Sequence, residues 1–352
     1  MSYTTIDRPT DYFRCKTYSG TGSSHAITYT ESENMQPDMV WVKRRDSATA
    51  WHLHDSVRGA TKMLKSNSSD AETTDAQKMT SFDTNGFTVG TNGDANNSSG
   101  TFASWSWKAG TSISGTTGGS GTSKSYSGSV NTTAGISIVA FEGNGTAGHT
   151  VPHGLNSAPD VVLVTRRNQG GQRVMGLSVV GFNKFLEFDL TGSEQTSTLR
   201  FNDTAPTSSV FTLGSTLDTN ADGINMIAWC FHNVKGYSKF GKYFGNEVSS
   251  DPTFIYTGFR PAFVLVKKLT GSTDSWFLHD DLRDGFNEDN EYLRPNETSA
   301  EGSGINRLNI FSNGFNVPTT DKSHNADGVP YIYWAFARHP FVTSSGIPTC
   351  AR

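Results

Sequence analysis

The chain has 352 residues, 18% of them charged and 34% hydrophobic, with a formal net charge of -4. A charged fraction below the usual quarter, with 36 glycines and 11% aromatics, argues against a disordered chain and for many short strands joined by turns. Three cysteines (Cys15, Cys230 and Cys350) show no metal-ligand spacing, and no clustered Lys/Arg footprint for nucleic acid exists.

From the N-terminus, residues 1–11 are polar and carry no apolar signal segment, and no run reaches the ~20 apolar residues of a membrane helix. The first strand signal is Pro37-Asp38-Met39-Val40-Trp41-Val42-Lys43, a proline start followed by β-branched and aromatic residues. Lys43, Arg44 and Arg45 at its end read as a solvated edge. Trp51-His52-Leu53-His54-Asp55 follows, with Arg58-Gly59 beyond it, and residues 55–65 are the one candidate helix. Phe82-Asp83-Thr84-Asn85-Gly86-Phe87 carries an Asn-Gly hairpin signal. Trp105-Ser106-Trp107 closes the stretch, its aromatics two apart on one sheet face.

Residues 111–133 are nearly all Gly, Ser and Thr and read as a flexible linker or long loop. The same signatures then recur in order. Unit two has Pro159-Asp160-Val161-Val162-Leu163-Val164 and Trp229-Cys230-Phe231. It lacks the His-Asp element, where Met175-Gly176-Leu177-Ser178 stands, and the Asn-Gly hairpin, where Ser208-Ser209-Val210-Phe211 stands. Unit three restores both, with Pro261-Ala262-Phe263-Val264-Leu265-Val266, Trp276-Phe277-Leu278-His279-Asp280, Arg283 with Gly285, Phe311-Ser312-Asn313-Gly314-Phe315 and Trp334-Ala335-Phe336. Pro37 and Pro159 lie 122 residues apart, Pro159 and Pro261 102 apart, so the signatures move together as a duplication would move them. The expected fold is all-β: three tandem β-sandwich repeats, jelly-roll or concanavalin-like, over 1–110, 134–236 and 237–352, with 111–133 between the first two.

His54, Asp55 and Arg58, with His279, Asp280 and Arg283, are the most enzyme-like features, since a histidine beside a carboxylate can act as a general base. No nucleophile motif accompanies them. The favoured reading has the aspartate accept backbone N–H groups or pair with the arginine at the corner. Ligand contact is the second reading of these six residues. Trp41, facing opposite to Val40 and Val42, is a candidate exposed aromatic. Asp218, Asn220 and Asp222 match the first half of a calcium loop; the motif fails at Trp229, and unit three repeats its Asn-Ala-Asp-Gly as a plain turn. The acidic pairs Asp280-Asp281 and Glu288-Asp289 read as solvated loops. Arg166, Arg167 and Arg173 read as a loop surface through which unit two assembles with other copies.

The signatures Gln36-Pro37-Asp38-Met39-Val40-Trp41-Val42-Lys43, His54-Asp55-Ser56-Val57-Arg58-Gly59, Phe82 to Phe87 and Trp105-Ser106-Trp107-Lys108 resemble a domain family of unknown function found in virion proteins of marine tailed phages. The tail Pro340-Phe341-Val342-Thr343-Ser344-Ser345-Gly346-Ile347-Pro348 is similar to the tail of such proteins. The resemblance implies a non-enzymatic virion component assembled in the host cytoplasm. It would be a tail-fibre or spike adhesion protein, homotrimeric, in contact with other virion proteins and a host surface glycan. Charge and hydropathy add the expectation of no nucleic acid and no membrane insertion, and the motifs that of no cofactor other than the candidate calcium. The alternatives are a capsid decoration protein and an enzyme degrading envelope polysaccharide.

Overall fold

The structure, a computed structural model, describes residues 3–284, 287, 288 and 290–349. Gly285, Asp289 and Cys350 of the sequence reading lie outside them. The chain is all-β, built from several antiparallel sheets. Among the described residues each α-helical segment spans four residues.

One strand arrangement occurs three times. In unit one, Phe13–Ser19, Thr101–Trp107, Met39–Arg44 and His52–Asp55 pair in that spatial order. In unit two the order is Ile136–Glu142, Asn225–Phe231, Val161–Arg166, Val174–Leu177. In unit three it is Ser238–Phe244, Pro330–Pro340, Phe259–Lys268, Phe277–Asp280. The register aligns the units residue by residue. Trp105, Trp229 and Trp334 are equivalent, and so are Met39, Val161 and Phe263. Each unit adds a small sheet; in unit one it is His25–Thr28, Gly86–Val89 and Met79–Asp83.

Both faces of the central strands of every main sheet are buried. Val40 and Val42 pack outward on Ile27, Phe87 and Val89 of the small sheet. Val162 and Val164 meet Val151, Phe211 and Leu213, and Val264 and Val266 meet Ile255, Phe315 and Val317. The alternate residues point the other way, because side chains of a strand alternate between faces. There they join one central core drawn from all three units, including Trp41, Trp105, Leu163, Trp229, Leu265 and Trp334. Every pair of units touches within it: Trp107 and Phe231 at 6.4 Å between ring centroids, Phe13 and Phe336 at 5.0 Å, Phe231 and Trp334 at 5.7 Å. Three sheets in mutual contact enclose a three-sided core. The units are not strung end to end, as tandem sandwiches would be; they share their largest apolar layer.

Four expectations need correction. Residues 55–65 are not a helix: strand His52–Asp55 runs into a turn and then into the short strand Lys62–Met63. Residues 111–133 are not a flexible linker. Thr111–Thr116 and Ser125–Asn131 form antiparallel strands that widen the sheet of unit two, with Ile113, Tyr126 and Val130 set against its apolar layer. Every second residue is apolar or glycine there, enough for a strand whose other face meets water. Lys43 is fully buried rather than solvated. Its Nζ donates to the carbonyls of Thr49 at 2.8 Å and of Thr298 in unit three at 3.0 Å, and burial pushes its pKa down to about 8. Arg173 is buried too, so it presents no loop surface.

Candidate functional site

The polar signatures converge where one sheet meets the next. The strand His52–Asp55 ends at a corner, and Asp55 Oδ1 accepts the Arg58 backbone N–H at 2.9 Å. Arg58 Nε donates to Asp55 Oδ2 at 2.6 Å, and its Nη2 to the Leu53 carbonyl at 2.9 Å. The guanidinium thus closes the turn from inside, where water cannot compete. Unit three builds the same corner: Asp280 Oδ1 accepts the Arg283 N–H at 3.0 Å, and Arg283 Nε meets Asp280 Oδ2 at 2.6 Å. Hydrogen bonds and the Arg283 charge hold the Asp280 carboxyl below its usual range, against burial that pushes it up.

Each corner also receives a neighbour. Trp229 Nε1 of unit two donates to Asp55 Oδ2 of unit one at 3.2 Å, and Arg58 lies 5.6 Å from the Trp229 ring centroid. Trp105 Nε1 of unit one donates to Asp280 Oδ2 of unit three at 3.1 Å, with Arg283 at 5.9 Å from the ring. A second bridge lies beside each. Glu72 takes Arg58 of its own unit at 3.3 Å and Arg167 of unit two at 3.0 Å. Glu301 takes Arg283 at 2.7 Å and Arg45 of unit one at 2.7 Å.

The third junction, from unit three to unit two, has the same geometry and different chemistry. The register puts Leu177 where Asp55 and Asp280 stand, with Val180 three residues on in place of the arginine. Leu269 replaces Arg45 and Arg167: its carbonyl accepts the Glu194 N–H, as theirs accept those of Glu301 and Glu72. Glu194 pairs instead with Lys184. The cluster is exchanged as a set, because removing one member would leave a buried charge unpaired. One group remains: Trp334 Nε1 is buried with no hydrogen-bond partner.

A third contact runs around the same circuit. Trp51 Nε1 donates to carbonyls of Arg294 and Glu297 in unit three, and Trp276 Nε1 to Glu187 in unit two. Arg173 fills that place in unit two, donating to the carbonyls of Lys65 and Asp70 in unit one.

The histidines do not form a reactive pair with the aspartates. His54 points to the opposite face from Asp55, and its Nδ1 lies 2.7 Å from the Ala60 carbonyl. Burial and the Arg58 charge hold its pKa down at about 3. His279 Nε2 lies 3.1 Å from His324 Nε2. Trp41, expected to be exposed, is 4% accessible and packs at a tilt on Trp51, 4.6 Å between ring centroids. The expectation assumed one wet face; both faces of that strand are covered.

The candidate calcium residues are engaged elsewhere. Asp218 Oδ1 accepts from Arg166 and its Oδ2 from Arg200. Asp222 is exposed beside Lys124. Asn220 is buried: its amide donates to the carbonyls of Gly214 and Thr146, and its Oδ1 accepts the Asn144 N–H. Asn96 and Asn325 do the same in the other units. That buried amide accounts for the repeated turn. Among the described residues no group of three or more His, Cys, Asp or Glu is placed to hold a metal ion.

Glu72 and Glu301 are junction residues that the sequence reading did not single out, and Arg45 and Arg167, expected at a solvated edge and on a loop surface, pair with them across the junctions. The available signal was that Arg45 and Arg167 follow the same repeat strand. The glutamates lie in loops of unlike sequence.

Fold and junctions together define an all-β protein in which three equivalent sheets are bolted around one core by buried ionic and indole contacts. The chain belongs to the family described as Domain of unknown function (DUF7483), whose model matches residues 8–340 and so spans all three units. No curated protein and no solved structure matched the chain.

Proposed function

We propose that this chain is a non-catalytic virion component of a tailed phage, a tail-fibre or spike element that contacts the host surface and assembles as a homotrimer. The observation that carries the non-catalytic part is the fate of the enzyme-like residues. His54, Asp55, Arg58, His279, Asp280 and Arg283 are all buried, and Asp55, Arg58, Asp280 and Arg283 hold one sheet to another. A general base must reach its substrate, and His54 is shut away from solvent with its Nδ1 against the Ala60 carbonyl. A scaffold locked on three sides suits an appendage that transmits load and presents loops. The virion placement draws its support from the resemblance of the repeat signatures. Gold-labelled antibody against the protein, viewed on purified particles by electron microscopy, tests it. Label on the tail or its fibres is expected. Label over the head would make it a decoration protein, and particles without label would overturn the reading.

A further inference from the structure

The small sheet of unit three carries side chains that its fold does not require. It pairs Thr253–Tyr256 with Gly314–Val317, and the latter with Asn309–Phe311. Ile255, Phe315 and Val317 point to the core. Phe254, Asn316 and Asn309 lie side by side on the outer face, followed by Tyr256, Gly314 and Phe311. The register places Ala26, Thr88 and Ser81, then Thr28, Gly86 and Asp83, at the same positions in unit one. Unit one therefore builds the same sheet without outward rings.

In unit three Phe254 is 48% exposed and Tyr256 50%. Phe254 lies 5.9 Å from Phe311 between centroids. Gly314 is set by the close strand beside it, where a Cβ would clash with the Ile255 carbonyl oxygen, as one at Gly86 would with that of Ile27; a Cβ at Gly314 would also sit 3.0 Å from Phe254 Cζ. Tyr3 extends the row, its hydroxyl 3.2 Å from that of Tyr256. Asn309 Oδ1 and Asn316 Oδ1 accept no hydrogen bond among the described residues. Lys239 Nζ stands 5.5 Å from the Tyr256 ring and Lys235 Nζ 4.6 Å from the Tyr3 ring, and neither is salt-bridged among the described residues.

We propose that this outer face is a binding site for an anionic polysaccharide, with sugar rings stacked on Phe254, Tyr256 and Phe311 and acidic groups drawn to Lys235 and Lys239. Aromatic rings offer apolar faces to sugar C–H surfaces, and the lysines supply polar contacts at their edge. The two lysines, without a carboxylate partner among the described residues though Lys239 Nζ donates to the Tyr256 carbonyl at 2.6 Å, select the charge class of the ligand. Size argues against a second copy of the chain. Two half-exposed rings offer roughly 75–125 Å² each, far below the ~800 Å² per partner of a stable protein interface. The ligand's role as a host receptor rests on the adhesion reading; the binding itself does not.

Affinity electrophoresis of the full chain through gels containing alginate, dextran sulfate or neutral dextran tests the site. Retardation by an anionic polymer and not by dextran is expected. The triple variant Phe254→Ala, Tyr256→Thr, Phe311→Asp installs the residues unit one already carries, so its fold is retained. It should lose binding at least ten-fold with an unchanged thermal melt, as should Lys235→Glu with Lys239→Glu. The proposal is overturned if neither anionic polymer retards the chain, if dextran retards it equally, or if the variants bind as before. A triple variant that changes sedimentation mass but keeps its retardation would make the face an interface between copies. Tail labelling of particles without polysaccharide binding would sink this site and leave the virion reading standing.

Discussion

Trp105, Trp229 and Trp334 occupy one position in three sheets yet end on different partners. Two donate to a carboxylate, and the third is buried and finds no acceptor among the described residues. A buried donor without an acceptor costs about 1–3 kcal/mol, whereas removing donor and acceptor together is nearly neutral. Trp334→Phe should therefore destabilise less than Trp105→Phe or Trp229→Phe, by about 1–2 kcal/mol in urea unfolding. Equal costs would mean that ring packing alone matters. His54 makes a second test at this scale. Its pKa in the fold is about 3 against an ordinary 6.5. The unfolded chain then binds the extra proton between those values, so stability is full above pH 6.5 and falls as the pH drops. The loss reaches roughly 3 kcal/mol by pH 4. Unit two has Gly176 at this position, so His54→Gln should fold and show a shallower fall between pH 6.5 and 4. A slope identical to that of the parent chain would contradict it.

Among elements, the corner after the fourth strand of each unit shows two solutions to one packing problem. Units one and three bury an ion pair with a shared indole donor; unit two uses Leu177 and Val180 and drops the arginine at Leu269. Arg58→Val alone leaves the buried Asp55 without its cation, while Glu72 keeps Arg167, and should cost about 3–5 kcal/mol. The set Asp55→Leu, Arg58→Val, Arg167→Leu copies the third junction, with Lys62 available to Glu72 as Lys184 is to Glu194. It should cost less than that single change, because contacting residues do not add. Chemical denaturation of single and triple variants decides this, and simple additivity would refute it. These elements were partly legible in the chain. The corner was visible as His-Asp followed by Arg, and its aspartate–arginine pairing follows from a carboxylate three residues before a guanidinium. Its use as a junction was not visible, because the indole arrives from a strand 174 or 175 residues away. The strands within 111–133 were missed for a related reason: Ser, Thr and Gly set no strong local preference, and neighbouring strands decide their state.

The whole molecule should unfold as one body. The inner faces of the three main sheets belong to one core, so a unit alone would expose Ile138, Leu163, Trp229 and Phe231, or their equivalents, to water. A fragment of residues 111–236, which keeps both added strands of unit two, is expected to lack fixed near-ultraviolet ellipticity and to aggregate, while the full chain melts in a single calorimetric transition. A folded, monomeric fragment or three separate transitions would show that the units are independent.

The repeat order, the apolar alternation and the all-β class were determined by the sequence alone, and so were the strand starts after Pro37 and Pro159; in unit three the strand begins at Phe259 and carries Pro261 at a bulge. Each depends on residues within one strand or turn of one another, where local sterics and period-two patterning act. The burial of Trp41 and Lys43, the closure of three sheets on one core and the ring of junctions were decided only in the tertiary structure. A strand pattern records that two faces differ, but not that both are covered. Whether a side chain meets water or a neighbouring unit depends on surfaces brought together from a hundred residues away, and alternation within one strand carries no information about them.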